Sequence, residues 1–256
     1  MSVVALGSVR SCSVTTVATL LAATWPEHRP RLLCELDPAG GTLAAQAGWP
    51  ADAGLMSLAA AARRSCDPAL FFDHCRDLPG GSPVLAGPAS AGQAATALDL
   101  LAGLLATLGE LDVDVVADCG RLGTQTPTAE TFGRAHLAVL VVRPRLADLQ
   151  ALAAWLEAAD HPSPPGLVLT GPGPYPAGEV AEALGVEVLG EVPWDPVAAG
   201  LLATVPVTSR QLSRSPLVRA ARSLADEVAR RVVPASPPTG SVLPAPVPAA
   251  TQEVDR

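Results

Sequence analysis

The first residues with chemical potential form a loop of small and hydroxyl side chains. Gly7 is followed by Ser8, Val9, Arg10, Ser11, Cys12, Ser13, Val14, Thr15 and Thr16. An apolar run, Val3 to Leu6, precedes the loop. After it Val17, Leu20, Leu21 and Thr24 recur at i, i+3, i+4 and i+7, the spacing of one helical face. Strand, tight loop and helix together aim backbone N–H groups and the positive end of a helix dipole at one spot, and an anion fits that spot. The side chains depart from the lysine-bearing phosphate loop, G-x-x-x-x-G-K-[ST]. Val14 stands where the lysine belongs and Ser13 where the last glycine belongs, while Thr15 and Thr16 keep the hydroxyls of the Mg²⁺ position. All 17 basic residues are arginine, so no lysine elsewhere in the chain fills the gap.

Two carboxylate clusters follow. Arg31 to Asp37 (RLLCELD) reads as a buried strand whose end carries Glu35 and Asp37, and Pro38, Ala39, Gly40 and Gly41 then form a turn. In open α/β sheets ligands bind beyond that strand end. Val113 to Asp118 (VDVVAD) is an apolar strand closing on an aspartate, the Walker B form, in which the aspartate holds Mg²⁺ through water. The plainer alternative is that Asp37 and Asp118 are polar strand ends, and that Thr15 and Thr16 are first-turn helix residues. The four histidines, His28, His74, His136 and His161, are scattered and join no Ser/Asp or metal-ligand pattern. The five cysteines, Cys12, Cys34, Cys66, Cys75 and Cys119, show no C-x-x-C spacing, which points to reduced thiols in a cytoplasm. No signal peptide and no membrane-spanning run are expected.

The elements that must hold these groups alternate. Helices are expected at Thr42 to Gly48, Leu55 to Arg64, Ala91 to Leu111, Leu146 to Ala159, Val180 to Leu184, Pro196 to Ala203 and Pro216 to Val233. Further strands are expected at Pro83 to Gly87, Leu137 to Arg143, Leu167 to Thr170 and Val186 to Pro193, while Phe71 to Asp77 fits either state. Such alternation predicts an α/β three-layer sandwich, a mostly parallel sheet covered on both faces. Hydrophobic residues make up 49% and aromatics 3%, so the core must be close-packed Ala, Val and Leu. A net charge of −8 argues against DNA binding over the whole surface and leaves a local arginine patch open. Six prolines in residues 234–256, without apolar periodicity, predict a disordered tail after a domain of residues 1–233; it is either an inert extension or a docking segment.

Three separated pieces together resemble the ParA/MinD-like branch of P-loop NTPases, whose Walker A loop is deviant. Val9 to Thr16 occupies the register of K-G-G-x-G-K-T-T, Glu35 to Gly40 resembles D-x-D-P-Q-G, and Val115 to Asp118 resembles the Walker B strand. Val192 to Pro196 (VPWDP) is similar to the family's late strand running into P-x-D-P. The similarity covers about residues 2–233.

The resemblance implies a SIMIBI-like P-loop fold and a dimerising, ATP-binding switch that positions DNA, division machinery or pili. It implies ATP contacts by Ser8, Arg10, Ser11, Cys12, Ser13, Val14, Thr15, Thr16 and Pro193. Mg²⁺ would fall to Thr15, Asp37 and Asp118, with Asp37 as the catalytic carboxylate. Both family lysines are apolar here, Val9 and Val14. A hydrogen bond to a charged group contributes about 1.5–3 kcal/mol, so phosphate binding should weaken by roughly 10- to 150-fold and hydrolysis by more. Arg10 is the basic residue of the loop. In MinD-like proteins a basic terminal helix binds membrane; here the helix at Pro216 to Val233 carries little bulky apolar area, and core packing is expected instead. Two function classes remain: a binding module that lost catalysis, and a weak ATPase with an unusual loop. Expected partners are a second copy or a related NTPase, and a protein cargo or adaptor, with DNA left open.

Overall fold

The computed structural model describes residues 1–10, 13–65, 67–123, 127–158 and 164–232. The strand β1 (Val3–Ser8) passes through the loop into α1 (Val14–Thr24), and β2 (Arg31–Glu35) is followed by α2 (Leu43–Ala47), α3 (Leu55–Ala62) and α4 (Leu70–Asp73). Next come β3 (Arg76–Leu78), β4 (Ser82–Leu85), α5 (Ala91–Leu105), β5 (Asp114–Arg121) and α6 (Pro127–Gly133). The last third adds β6 (Leu137–Val142), α7 (Leu146–Ala158), β7 (Gly166–Thr170), α8 (Ala177–Leu184), β8 (Val188–Val192), α9 (Pro196–Leu201) and α10 (Pro216–Arg231). The eight strands form one sheet in the order β3-β4-β2-β5-β1-β6-β7-β8, parallel except for the β3–β4 hairpin.

Side chains on a strand alternate between faces, and here the alternation divides two cores. Val4 and Leu6 of β1, Leu33 of β2, Val116 of β5 and Val139 and Val141 of β6 pack under α1 and α10. Their neighbours Val3, Ala5, Leu32, Val115, Ala117, Leu140 and Val142 pack against α3, α5 and α7 on the other face. Each fully buried Val or Leu stabilises the fold by about 1.5–3 kcal/mol, so small side chains suffice when so many are enclosed. The same parity sends Glu35 and Asp118 toward the α1 face, since each lies two residues beyond a member of that core, Leu33 and Val116.

The terminal helix is core. Leu217, Val218, Ala221, Leu224, Ala225, Val228 and Ala229 are buried, and Arg230 and Arg231 on the outer side pair with Glu227. Arg231 also meets Glu187 at 2.6 Å. Among the described residues no helix is long and apolar enough to cross a membrane.

Four local outcomes differ from the sequence expectations. Phe71 to Asp77 divides between α4 and β3, because Phe71 is buried as a helix residue and the hairpin captures Arg76 to Leu78. The helix beginning at Ala91 stops at Leu105. Thr107 turns its hydroxyl onto the Leu104 carbonyl at 2.8 Å, and a 3₁₀ turn at Leu108–Glu110 follows. The helix α6 has no clear apolar period and is fixed by Phe132, buried edge-on to Trp155 with ring centroids 6.1 Å apart. Strand β5 runs three residues past Asp118, because Ser8 pairs with Arg121 across a bulge. The Pro-rich segment 234–256 lies outside the described residues.

Candidate functional site

Parallel strands end together, so β1, β2 and β5 deliver their C-terminal residues to one edge, where α1 begins. A cleft of about 300 Å³ opens there, lined by Ser13, Val14, Thr15, Thr16, Thr19, Asp37, Thr42, Gln46, Gly120, Arg121, Ala199 and Leu202. Five of the residues singled out from the sequence thus share one wall-to-wall space: Ser13, Val14, Thr15, Thr16 and Asp37. A second cavity of about 190 Å³ shares Ser13, Thr16 and Ala199 with the first and is lined further by Thr170, Pro193 and Trp194. Pro193 therefore sits at the neighbouring cavity rather than in the cleft itself.

Ser13 holds the backbone turn that the motif assigns to glycine. Its φ of 50° and ψ of 21° are left-handed, the one positive φ among the described residues other than glycine. A side chain in that region costs about 1–2 kcal/mol. Ser13→Gly is therefore expected to raise stability by up to about 1 kcal/mol once the added freedom of the unfolded glycine is deducted. A melting curve checks this, and a fall in melting temperature would contradict it.

Val14, one residue on, opens α1 and is 6% exposed, packed in the core beneath the helix. A lysine there would have to leave that core to reach a phosphate. Ser8 is buried, and its hydroxyl donates to the Arg10 carbonyl within the loop. Arg10 is exposed and absent from the cleft lining. Ser11 and Cys12 lie outside the described residues.

Asp37 is half-buried and accepts from the Ala39 amide at 2.8 Å. Burial raises its pKa, and the amides of Ala39 and Arg121 oppose the rise. Gly120, with φ of 58°, makes this possible: a Cβ there would stand 2.0 Å from the Asp37 carboxyl carbon. Asp118 is fully buried. Its Oδ1 accepts from the Gly120 amide at 3.0 Å, and its Oδ2 has no partner. Burial pushes its pKa up to about 7, Glu35 and Asp37 add to the rise, and the Thr15 hydroxyl opposes it. An orphaned carboxylate oxygen in a protein interior costs free energy unless a cation or donor meets it.

Glu35 does something else. Its Oε1 accepts from the amides of Thr42 at 2.6 Å and Leu43 at 3.1 Å, and its Oε2 from the Gly87 amide at 2.9 Å. Both oxygens are occupied in joining the end of β2 to the start of α2 and to the loop after β4. Asp195 of the late motif is likewise architectural. It caps α9 through the Ala198 amide at 3.0 Å and accepts from the Ser215 hydroxyl, at the start of α10, at 2.9 Å. Arg143 pairs with Asp148 at 2.9 Å and belongs to the strand end.

These groups can be tested against Mg²⁺. Thr15, Asp37 and Asp118 offer a hydroxyl and two carboxylates, an all-oxygen set that suits a hard cation. Among the described residues there is no cluster of three or more His, Cys, Asp or Glu arranged for a metal. Mg²⁺ is commonly held by one or two carboxylates together with phosphate oxygens, and the unpartnered Asp118 Oδ2 fits such a role.

No protein-family model matches the chain, and no curated protein matches it in sequence. Solved structures do. The cell division ATPase MinD of Pyrococcus furiosus superposes with a TM-score of 0.69 at 21% identity, over 90% of this chain and 98% of that one. The chain has the ParA/MinD-like fold. The septum site-determining protein MinD of Pyrococcus horikoshii OT3, solved with Mg-ADP, gives a TM-score of 0.68 at 20% identity over 89% and 95%. A ParA-family ATPase of Chlorobium tepidum TLS gives 0.69 at 14% identity over 88% and 98%. The eight-stranded, mostly parallel sheet of this chain is thus the α/β architecture of those structures.

Sequence reasoning missed Arg121. The signal available was its position three residues after Asp118, but the strand was expected to end at that aspartate. Thr42 and Gln46 were missed because α2 enters the cleft only through the Glu35 tether.

Proposed function

We propose that this chain is a ParA/MinD-like positioning protein with a degenerate nucleotide site, a binding module whose ATP hydrolysis is weak or absent. The observation that carries the reading is the pairing of Val14, buried at the lysine position, with an otherwise preserved cleft of Thr15, Thr16 and Asp37 beside Asp118. Backbone amides at the start of α1, the Thr15 and Thr16 hydroxyls and the two aspartates would hold Mg-nucleotide without a lysine. Bound Mg²⁺ would supply neutralisation of charge on the phosphate oxygens. Asp37 would orient and polarise the attacking water. The γ-phosphate gathers negative charge as it leaves, and Val9 and Val14 bring none of the opposite sign. The protein would act in the cytoplasm as a homodimer or with a related NTPase, carrying a protein cargo or adaptor. The second reading, an active Mg²⁺-dependent ATPase of the partitioning, septum-site or pilus-positioning type, draws on the retained Asp37 and Asp118.

Hydrolysis assays separate the two. Wild-type turnover is expected to be absent or far below that of lysine-bearing relatives, and Val14→Lys to tighten nucleotide binding. Robust wild-type turnover abolished by Asp37→Ala would reverse the order of the readings.

A further inference from the structure

Arg121 is the one basic side chain among the residues lining the cleft. It ends β5, three residues beyond Asp118, and is exposed. Arg29, Arg76, Arg134, Arg143, Arg230 and Arg231 each pair with a carboxylate, whereas among the described residues none pairs with Arg121. Asp37 shares the cleft yet takes the Arg121 backbone amide rather than its guanidinium. The cleft is thus lined by a cation without a carboxylate partner as well as by the first residues of α1. Behind its Gly120 wall lies the buried Asp118, whose Oδ2 has no partner, and a second such oxygen, Thr170 Oγ1, lies at the adjoining cavity.

Resting on the nucleotide-binding reading above, we propose that Arg121 supplies the phosphate-binding charge that the loop lacks, from the aspartate-bearing strand instead of from α1. The geometry of the side chain suits the task. A guanidinium presents donors in a planar fork that matches two phosphate oxygens, and it stays charged at all working pH values. Arg121 pairs with Ser8 across β5 and β1 and lines the cleft together with Asp37, which takes its backbone amide. A guanidinium on the cleft wall can hold phosphate without a lysine at position 14.

The test compares wild type with Arg121→Ala by calorimetry, using adenosine, ADP, ATP and inorganic tripolyphosphate, each with Mg²⁺. Because Arg121 is exposed, melting curves of the two proteins should coincide. Removing the guanidinium is expected to weaken ADP, ATP and tripolyphosphate by roughly ten- to a hundredfold and to leave adenosine within about twofold. Equal affinity of the two proteins for the phosphate-bearing probes would overturn the role of Arg121. So would an equal loss for adenosine, which would mark a general distortion. Arg121-dependent binding of tripolyphosphate without binding of ATP would uphold the inference and remove the nucleotide reading. Failure of wild type to bind any probe would remove both.

Discussion

Glu35→Ala is expected to lower stability by about 2–4 kcal/mol, because it strands the buried amides of Leu43 and Gly87 and frees the more exposed amide of Thr42. Each buried unsatisfied N–H costs about 1–3 kcal/mol, and part of that sum is returned by removing a carboxylate that burial already disfavours. Glu35→Gln should fall between the two, since its carbonyl can still accept from Thr42 and Leu43 while its NH₂ opposes the Gly87 amide. Urea unfolding gives the free energies. Hydrogen exchange at Thr42, Leu43 and Gly87 shows whether the tether is what was lost. A Glu35→Ala protein as stable as wild type but unable to bind nucleotide would reassign Glu35 from the architecture to the ligand.

Asp118→Asn should act in the opposite direction on the metal-free protein. The native pKa of Asp118 is raised from 3.8 to about 7, so between those values the folded state holds a proton that the unfolded state has released. Stability therefore falls as pH rises through that window, by up to about 4 kcal/mol once pH exceeds 7. Asparagine carries no charge to desolvate. In EDTA at pH 8 the variant is expected to melt several degrees above wild type, and the gap should narrow toward pH 5. Adding Mg²⁺ and ADP should raise the wild-type melting temperature and leave the variant nearly unmoved. A variant that melts below wild type at pH 8 would show that the Asp118 charge is compensated in the fold.

Much of the architecture was present in local patterns. Continuous apolar runs such as Val3 to Leu6 and Leu137 to Val142 are short and rich in Val, which suits a strand buried on both faces, and helical spacing in α1 and α10 leaves an apolar face to cover. Charge and composition likewise announced an Ala, Val and Leu core and the missing lysine. The ends of elements were less legible. Helix α6 depends on Phe132 meeting Trp155, a contact between residues far apart in the chain, and β5 reaches Arg121 because β1 offers it a partner.

The sequence by itself determined the loop chemistry, Val14 for lysine and Thr15 and Thr16 retained, since residue type and order need no third dimension. It also put Asp37 just beyond one strand and Asp118 near the end of another, and parallel strands end on one edge. Only the tertiary structure decided which acidic group is free to act. Glu35 and Asp37 are two residues apart and look equivalent in the motif, yet three amides from α2 and the β4 loop consume Glu35, while Gly120 leaves room for Asp37 in the cleft. The same holds for charge. Arg10 sits inside the motif and outside the cleft, whereas Arg121 sits outside the motif and inside it. Proximity in sequence fixes which backbone a side chain hangs from. Where that side chain ends is set by strand order and by the shapes packed around it.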